Sequence, residues 1–111
     1  MPGQFEILTG KTGKCHFVLK AANRQVILTS ETYESLAACK NGIASVKNNA
    51  GNDAAFERKT AKDGRPFFTL IASNKQVIGA SQMYASASGR SNGIRSVKAN
   101  ATKSPIVDLP G

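Results

Sequence analysis

Asn41-Gly42-Ile43-Ala44-Ser45-Val46-Lys47-Asn48-Asn49-Ala50 returns 51 positions later as Asn92-Gly93-Ile94-Arg95-Ser96-Val97-Lys98-Ala99-Asn100-Ala101. The same offset, without a gap, lays Phe5-Glu6 over Phe56-Glu57 and Phe17 and Leu19 over Phe68 and Leu70. It carries Asn23-x-Gln25-Val26-Ile27 onto Asn74-x-Gln76-Val77-Ile78, and Ser30-x-x-Tyr33 onto Ser81-x-x-Tyr84. Self-similarity at a fixed period marks a duplicated structural unit. The 111 residues therefore read as one domain, 1–111, built of two repeats, 4–51 and 55–109. A unit of about fifty residues buries a marginal core by itself, which is a physical reason for fusing two.

Within a copy, the periodicity changes once. Gln4 to Thr9 alternates, with Phe5 and Ile7 on one face and Glu6 on the other. Gly10-Lys11-Thr12-Gly13 is a turn. Cys15, Phe17 and Leu19 then share a face opposite His16, Val18 and Lys20, and Val26-Ile27-Leu28 is a third, short strand. Between the last two lies Ala22-Asn23-Arg24, where Asn suits the left-handed conformation many turns need. Links this short predict an antiparallel meander. Ser35 is placed to N-cap a helix, and Leu36, Cys39, Ile43 and Val46 fall on one helical stripe with Lys40, Ala44 and Lys47 facing away. Asn49 and Gly51 close it. The second copy repeats the plan through Ser86, Ala87, Ile94 and Val97, and Gly42 and Gly93 are expected to let each helix lie close to the sheet. Ile106-Val107-Asp108-Leu109 follows the second helix and aligns with residues 55–58, so one segment is expected to end the first copy and open the second. The fold class is α+β, with an antiparallel-rich sheet.

Composition narrows the function classes. An apolar fraction of 41% excludes a disordered chain, and no apolar run approaches the ~20 residues that span a bilayer. The first residues lack a basic region and an apolar core of the signal-peptide kind, so the cytoplasm is the expected location. Cys15, Cys39 and His16 are too few for a disulfide scaffold or a structural zinc site, and no metal or cofactor is expected. A net charge of +8 favours anionic partners, nucleic acid among them, through counterion release.

With the blocks Lys20-Ala21-Ala22-Asn23, Ser30-x-x-Tyr33 and Gly42-Ile43-x-Ser45-Val46-Lys47 in view, the chain resembles the YegP-like family, small bacterial proteins with one or two copies of this unit. The resemblance covers nearly the whole chain. It implies a β3-α-β unit, two of which form one continuous sheet with swapped C-terminal strands and both helices on one side. It also implies that single-unit relatives form homodimers and that this chain is a monomer mimicking one. The second copy departs from the pattern at Ile71-Ala72-Ser73 and at Arg90, where the first has Cys39. No catalytic residues come with the family.

The residues themselves offer few sites. His16 suits acid–base work, but its counterpart is Phe67, and Cys15 beside it points to the opposite face of the strand. A surface histidine and two core cysteines are the preferred readings. Tyr33 and Tyr84 are read as packing the first helical turn, with a symmetric pocket lined by the two rings as the alternative, and Glu6 and Glu57 as solvated strand charges. Val18, Phe67, Thr69 and Ile71, framed by His16 and Lys20, lie on the sheet face away from the helices. That face is either an interface patch or is covered by swapped strands or the tail. Lys40, Lys47, Arg95 and Lys98 are placed on helix surfaces, and Lys11, Lys14, Lys62, Arg65 and Lys75 at turns. The expectation is a binding or accessory module, not an enzyme, that meets an unknown protein partner through the open sheet face. The alternative is nucleic-acid association through the basic surface, and no membrane contact is expected.

Overall fold

A computed structural model describes residues 3–10 and 12–109, the side chains of residues 108 and 109 excepted. Lys11 lies outside these. The first copy forms β1 (Gln4–Thr9), β2 (Cys15–Lys20), β3 (Val26–Ser30) and α1 (Leu36–Asn49). A 3-10 turn at Asp53–Ala55 leads to the second, with β4 (Phe56–Thr60), β5 (Pro66–Ile71), β6 (Val77–Ala80) and α2 (Ala87–Ala101). β7 (Ile106–Leu109) ends the described chain.

All seven strands join one sheet in the order β4-β5-β6-β3-β2-β1-β7. Every pairing is antiparallel except β1 with β7, which is parallel. The copies meet where β3 pairs β6, Thr29 opposite Ala80 and Ser30 opposite Gly79. These partners carry a pseudo-two-fold axis. β7 crosses it to lie on the first copy's β1, the exchange that the family resemblance implies. The segment after α1 becomes β4, the second copy's own first strand, so β4 forms one end of the sheet.

Both helices lie on one face, over a single core that includes Phe5, Phe17, Leu19, Leu28, Phe68 and Leu70 from the strands and Ile43, Val46, Ile94 and Val97 from the helices. Each copy carries a three-ring ladder. Phe5 meets Phe17 edge-on at 5.9 Å and Phe17 stacks on Tyr33 at 6.1 Å, while Phe56, Phe68 and Tyr84 repeat the ladder at 5.8 and 6.3 Å. Such ring pairs add about 0.5–1.5 kcal/mol beyond their burial. At the junction Gly79 replaces the first copy's Leu28. A Cβ there would lie 2.8 Å from the Thr29 carbonyl oxygen and 3.2 Å from Leu28 Cγ, so one leucine fills a space that has no room for two.

Ser35 and Ser86 cap their helices as expected, each hydroxyl accepting from the backbone N–H three residues on at 3.1 Å. Two local expectations are corrected. The left-handed residue of the β2–β3 and β5–β6 turns is Arg24 (φ 69°) or Lys75 (φ 70°), not the asparagine before it. Asn23 and Asn74 instead accept from the N–H of Gln25 and Gln76 at 3.1 Å, holding the turn with a side-chain oxygen. Leu36 is exposed, because the core-facing stripe of α1 begins only at Cys39.

Candidate functional site

On the face away from the helices one row crosses the whole sheet. By register it runs Val107, Glu6, Val18, Thr29, Ala80, Thr69, Glu57. His16 and Lys20 flank Val18 on β2, and Phe67 and Ile71 flank Thr69 on β5, so the six candidates lie on one face as two clusters related by the pseudo-two-fold. The strand that crosses between copies lies in the sheet, not over it, and nothing among the described residues covers this face. Val18 and Thr69 are nevertheless buried, screened by their neighbours in the sheet. Half-buried apolar side chains stand on both halves of the face, Phe67 and Ile71 in the second copy's and Leu8 and Val107 in the first copy's.

The first copy's half also carries an ion pair. Lys20 Nζ lies 3.0 Å from Glu6 Oε1, and Gln4 donates to the other carboxylate oxygen. The hydrogen bond from Lys20 holds the Glu6 carboxyl below its ordinary range, against the opposing effect of burial. Glu6 is thus a buried, paired carboxylate, not the solvated charge expected from its strand position. Its counterpart Glu57 is exposed, accepts from the Thr69 hydroxyl at 3.2 Å and lies 3.8 Å from Lys59.

Several of the basic residues are engaged by neighbours. Lys40 and Arg95 are exposed on their helices, but Lys47 stands over the Phe5 ring at 5.7 Å and Lys98 over Phe56 at 5.8 Å. Lys98 also pairs with Asp53. Among the turn residues, Arg65 bonds Asp63 at 2.7 Å and Lys14 approaches Glu34 at 3.8 Å, while Lys62 and Lys75 are exposed.

Tyr33 and Tyr84 act structurally, and they reach beyond the first helical turn, which Tyr84 still borders at Gly89. Each ring is wedged between its strand and the middle of its helix, at Gly42 or Gly93. Burial raises both phenol pKa values. Tyr33 and Cys15 exchange backbone hydrogen bonds of 2.9 and 2.6 Å. In the second copy Pro66, lacking an N–H, returns only the bond that its carbonyl accepts from Tyr84 at 2.8 Å. Ser30 and Ser81 accept from the N–H of Phe17 and Phe68 at 2.8 and 3.0 Å. Cys15 and Cys39 are buried in the core, and His16 is half-buried on the opposite face of β2. Among the described residues no group of three or more His, Cys, Asp or Glu side chains could hold a metal ion.

One concavity escaped the sequence reading. A cleft of about 430 Å³ opens between α1 and the β5–β6 turn, lined by Glu31, Tyr33, Asn41 and Ser45 of one copy and Asn74, Gln76 and Val77 of the other. Recurrence of these polar residues was the available signal. Only the pseudo-two-fold shows that the turn of one copy meets the helix of the other.

The domain of unknown function DUF1508 matches twice, at residues 11–57 and 61–108. A UPF0339 protein of Acinetobacter baylyi is 51% identical over the full length of both chains. UPF0339 protein YegP of Escherichia coli K12 is 47% identical over 97% of this chain and 98% of its own. The solution NMR structure of yegP from E. coli, a protein of unknown function by its description, superposes with a TM-score of 0.93, covering 100% of this chain and 96% of that one. A UPF0339 protein of Shewanella oneidensis, also solved by NMR, superposes at 0.92 with 44% identity, over 99% of this chain and 93% of its own. No helix among the described residues is long and apolar enough to cross a membrane. With two family matches that span most of the chain and relatives aligned along its length, the chain belongs to the YegP-like, DUF1508 family.

Proposed function

We propose that the chain is a non-enzymatic binding module that meets a protein partner through the uncovered face of its sheet. The observation that carries this reading is where the two copies differ. Most of their core residues recur, Ile7, Cys15, Leu28 and Cys39 excepted, and on the open face the second copy sets Phe67 and Ile71 where the first has His16 and Lys20. A face in contact with water alone has no physical reason to exchange a charge and an imidazole for two large apolar groups. Accessible apolar side chains grouped on one surface mark interfaces. Six of the recurring polar side chains are meanwhile committed to backbone bonds, Ser30 and Ser81 at the strands, Ser35 and Ser86 at the helices, Asn23 and Asn74 in the turns.

A photo-crosslinking phenylalanine analogue at position 67, expressed in living bacteria, tests it. The expected result is one discrete protein adduct, lost when Ile71→Glu is added and absent when the analogue replaces Lys40. The same diffuse adducts from both positions would defeat the reading. Anisotropy with labelled DNA and RNA at about 50 and 200 mM salt tests the charge-driven alternative, which requires affinity that falls steeply between the two.

A further inference from the structure

The two ends of the sheet differ in a way that the duplication makes legible. At the first copy's end, β1 is covered by β7, running parallel, with the Phe5 N–H donating to the Pro105 carbonyl at 2.9 Å. Under the pseudo-two-fold the same place exists beside β4, and no described strand fills it. The segment that would fill it, the one after α1, is β4 itself. The duplication therefore makes seven strands where its symmetry calls for eight.

The vacant edge has defined hydrogen-bonding groups. Phe68 exchanges its N–H and carbonyl with Ser81 on its β6 side, so its partner Arg58 turns its own N–H and carbonyl away from β5, toward the vacancy. The Phe56 N–H is already bonded to the Asp53 carbonyl. The edge is also basic. Arg58 stands where the first copy has Ile7, and Arg90 where it has the buried Cys39. From α2, Arg90 reaches β4 and donates through Nη1 to the Lys59 carbonyl at 2.9 Å, while its Nε is buried without a partner. Neither arginine forms an ion pair among the described residues.

We infer that the outer edge of β4 accepts an extended segment of a partner protein, running parallel to β4, with an apolar residue beside Phe56 and an acidic one two residues on, beside Arg58. β7 is the internal template, for it sets Ile106 opposite Phe5 and Asp108 opposite Ile7. Strand addition of this kind takes its affinity from main-chain bonds and its selectivity from alternate side chains. Charges on an edge strand also discourage indiscriminate pairing. Here they select for sign, since an acidic residue satisfies the arginines that a neutral strand leaves bare. This site is the edge, not the face, and it stands or falls independently of the reading above.

The test uses the full-length, 15N-labelled chain and a synthetic peptide with the sequence of residues 102–111. Saturable amide shifts centred on residues 57–60 are expected, with slowed exchange of the Arg58 amide. Arg58→Glu should weaken binding about tenfold or more, and a peptide carrying Asp108→Lys should recover it on that variant. Arg58 is exposed, so the fold of the variant is checked from its own amide spectrum. Shifts confined to β1, affinity indifferent to Arg58→Glu, or no saturable shifts would each overturn the inference. So would self-association of the unliganded chain with protected β4 amides, which would make a second copy the occupant.

Discussion

Glu6 and Glu57 occupy the same place in the two copies and live in different environments. On β2, beside Glu6, stands Lys20, whereas the equivalent on β5 is Ile71. The pair Lys20–Glu6 at 3.0 Å is largely withdrawn from water on the carboxylate side, while Lys59–Glu57 is exposed at both ends and spans 3.8 Å. Removing the cation from a screened carboxylate strands a charge, whereas exposed pairs contribute little. Lys20→Ile, which gives the first copy the second copy's residue, should therefore lower stability by roughly 1–2 kcal/mol at pH 7. Lys59→Met should change it by less than about 0.5 kcal/mol. The pH dependence has a definite sign. The folded pKa of Glu6 is depressed, so its contribution is complete above the unfolded carboxyl value of about 4.3 and is lost as pH falls through the folded value. Urea titrations of wild type and Lys20→Ile should converge as the pH falls through that folded value. A difference that persists undiminished below it would show that the lysine acts through packing alone.

At the scale of elements, the helices are seated by a tyrosine and a glycine nine residues apart. A Cβ on Gly42 would run into the Tyr33 hydroxyl and lie 3.0 Å from Phe17 Cε2, and Gly93 repeats this against Tyr84 and Phe68. Alanine improves helix propensity by about 1 kcal/mol, but overpacking costs about 1–3 kcal/mol. Gly42→Ala should therefore destabilise the chain by about 1–2 kcal/mol. In a Tyr33→Ala background, where the obstructing ring is gone, the same change should stabilise it. Calorimetry of the four proteins closes the cycle, and additive effects would mean that ring and glycine are not coupled. The seat also shows how far sequence reaches. Strand alternation, helix stripes and serine caps are local patterns, and the sequence carries them directly, twice over. Gly42 was legible as a close-approach position, but its partner was not, since that requires the ring of Tyr33 to cross from the strand end to the middle of the helix. The cleft that joins α1 to the β5–β6 turn was likewise hidden, because Asn41 and Asn74 meet only across the axis between copies. Period two settles the side of the sheet on which the six face residues stand. Whether Val18 or Phe67 reaches solvent depended on their neighbours in the sheet and on what lay above.

At the scale of the whole molecule, the duplication solves one edge and leaves another. β7 shields β1, whose outward neighbours Phe5 and Ile7 are fully buried core residues. At the opposite end β4 is bare, and its residues after Phe56 are exposed and mostly charged. An apolar edge without cover is a template for pairing with other chains, and a charged one resists it. The two ends are thus protected by different means, and removing β7 should expose the one whose single charge, Glu6, is already paired with Lys20. A chain ending at Ser104 loses the parallel ladder and the bond from Phe5 N–H to Pro105, together with part of the cover over the β1 side of the core. We expect it to lose about 2–4 kcal/mol in urea denaturation. Sedimentation should show it self-associating at concentrations where the full chain does not, and Ile7→Arg, which copies the second copy's Arg58, should suppress that association without restoring the lost stability. If the shortened chain matches the full one in both measurements, β7 is an ornament on the sheet and the symmetry between its ends has no energetic content.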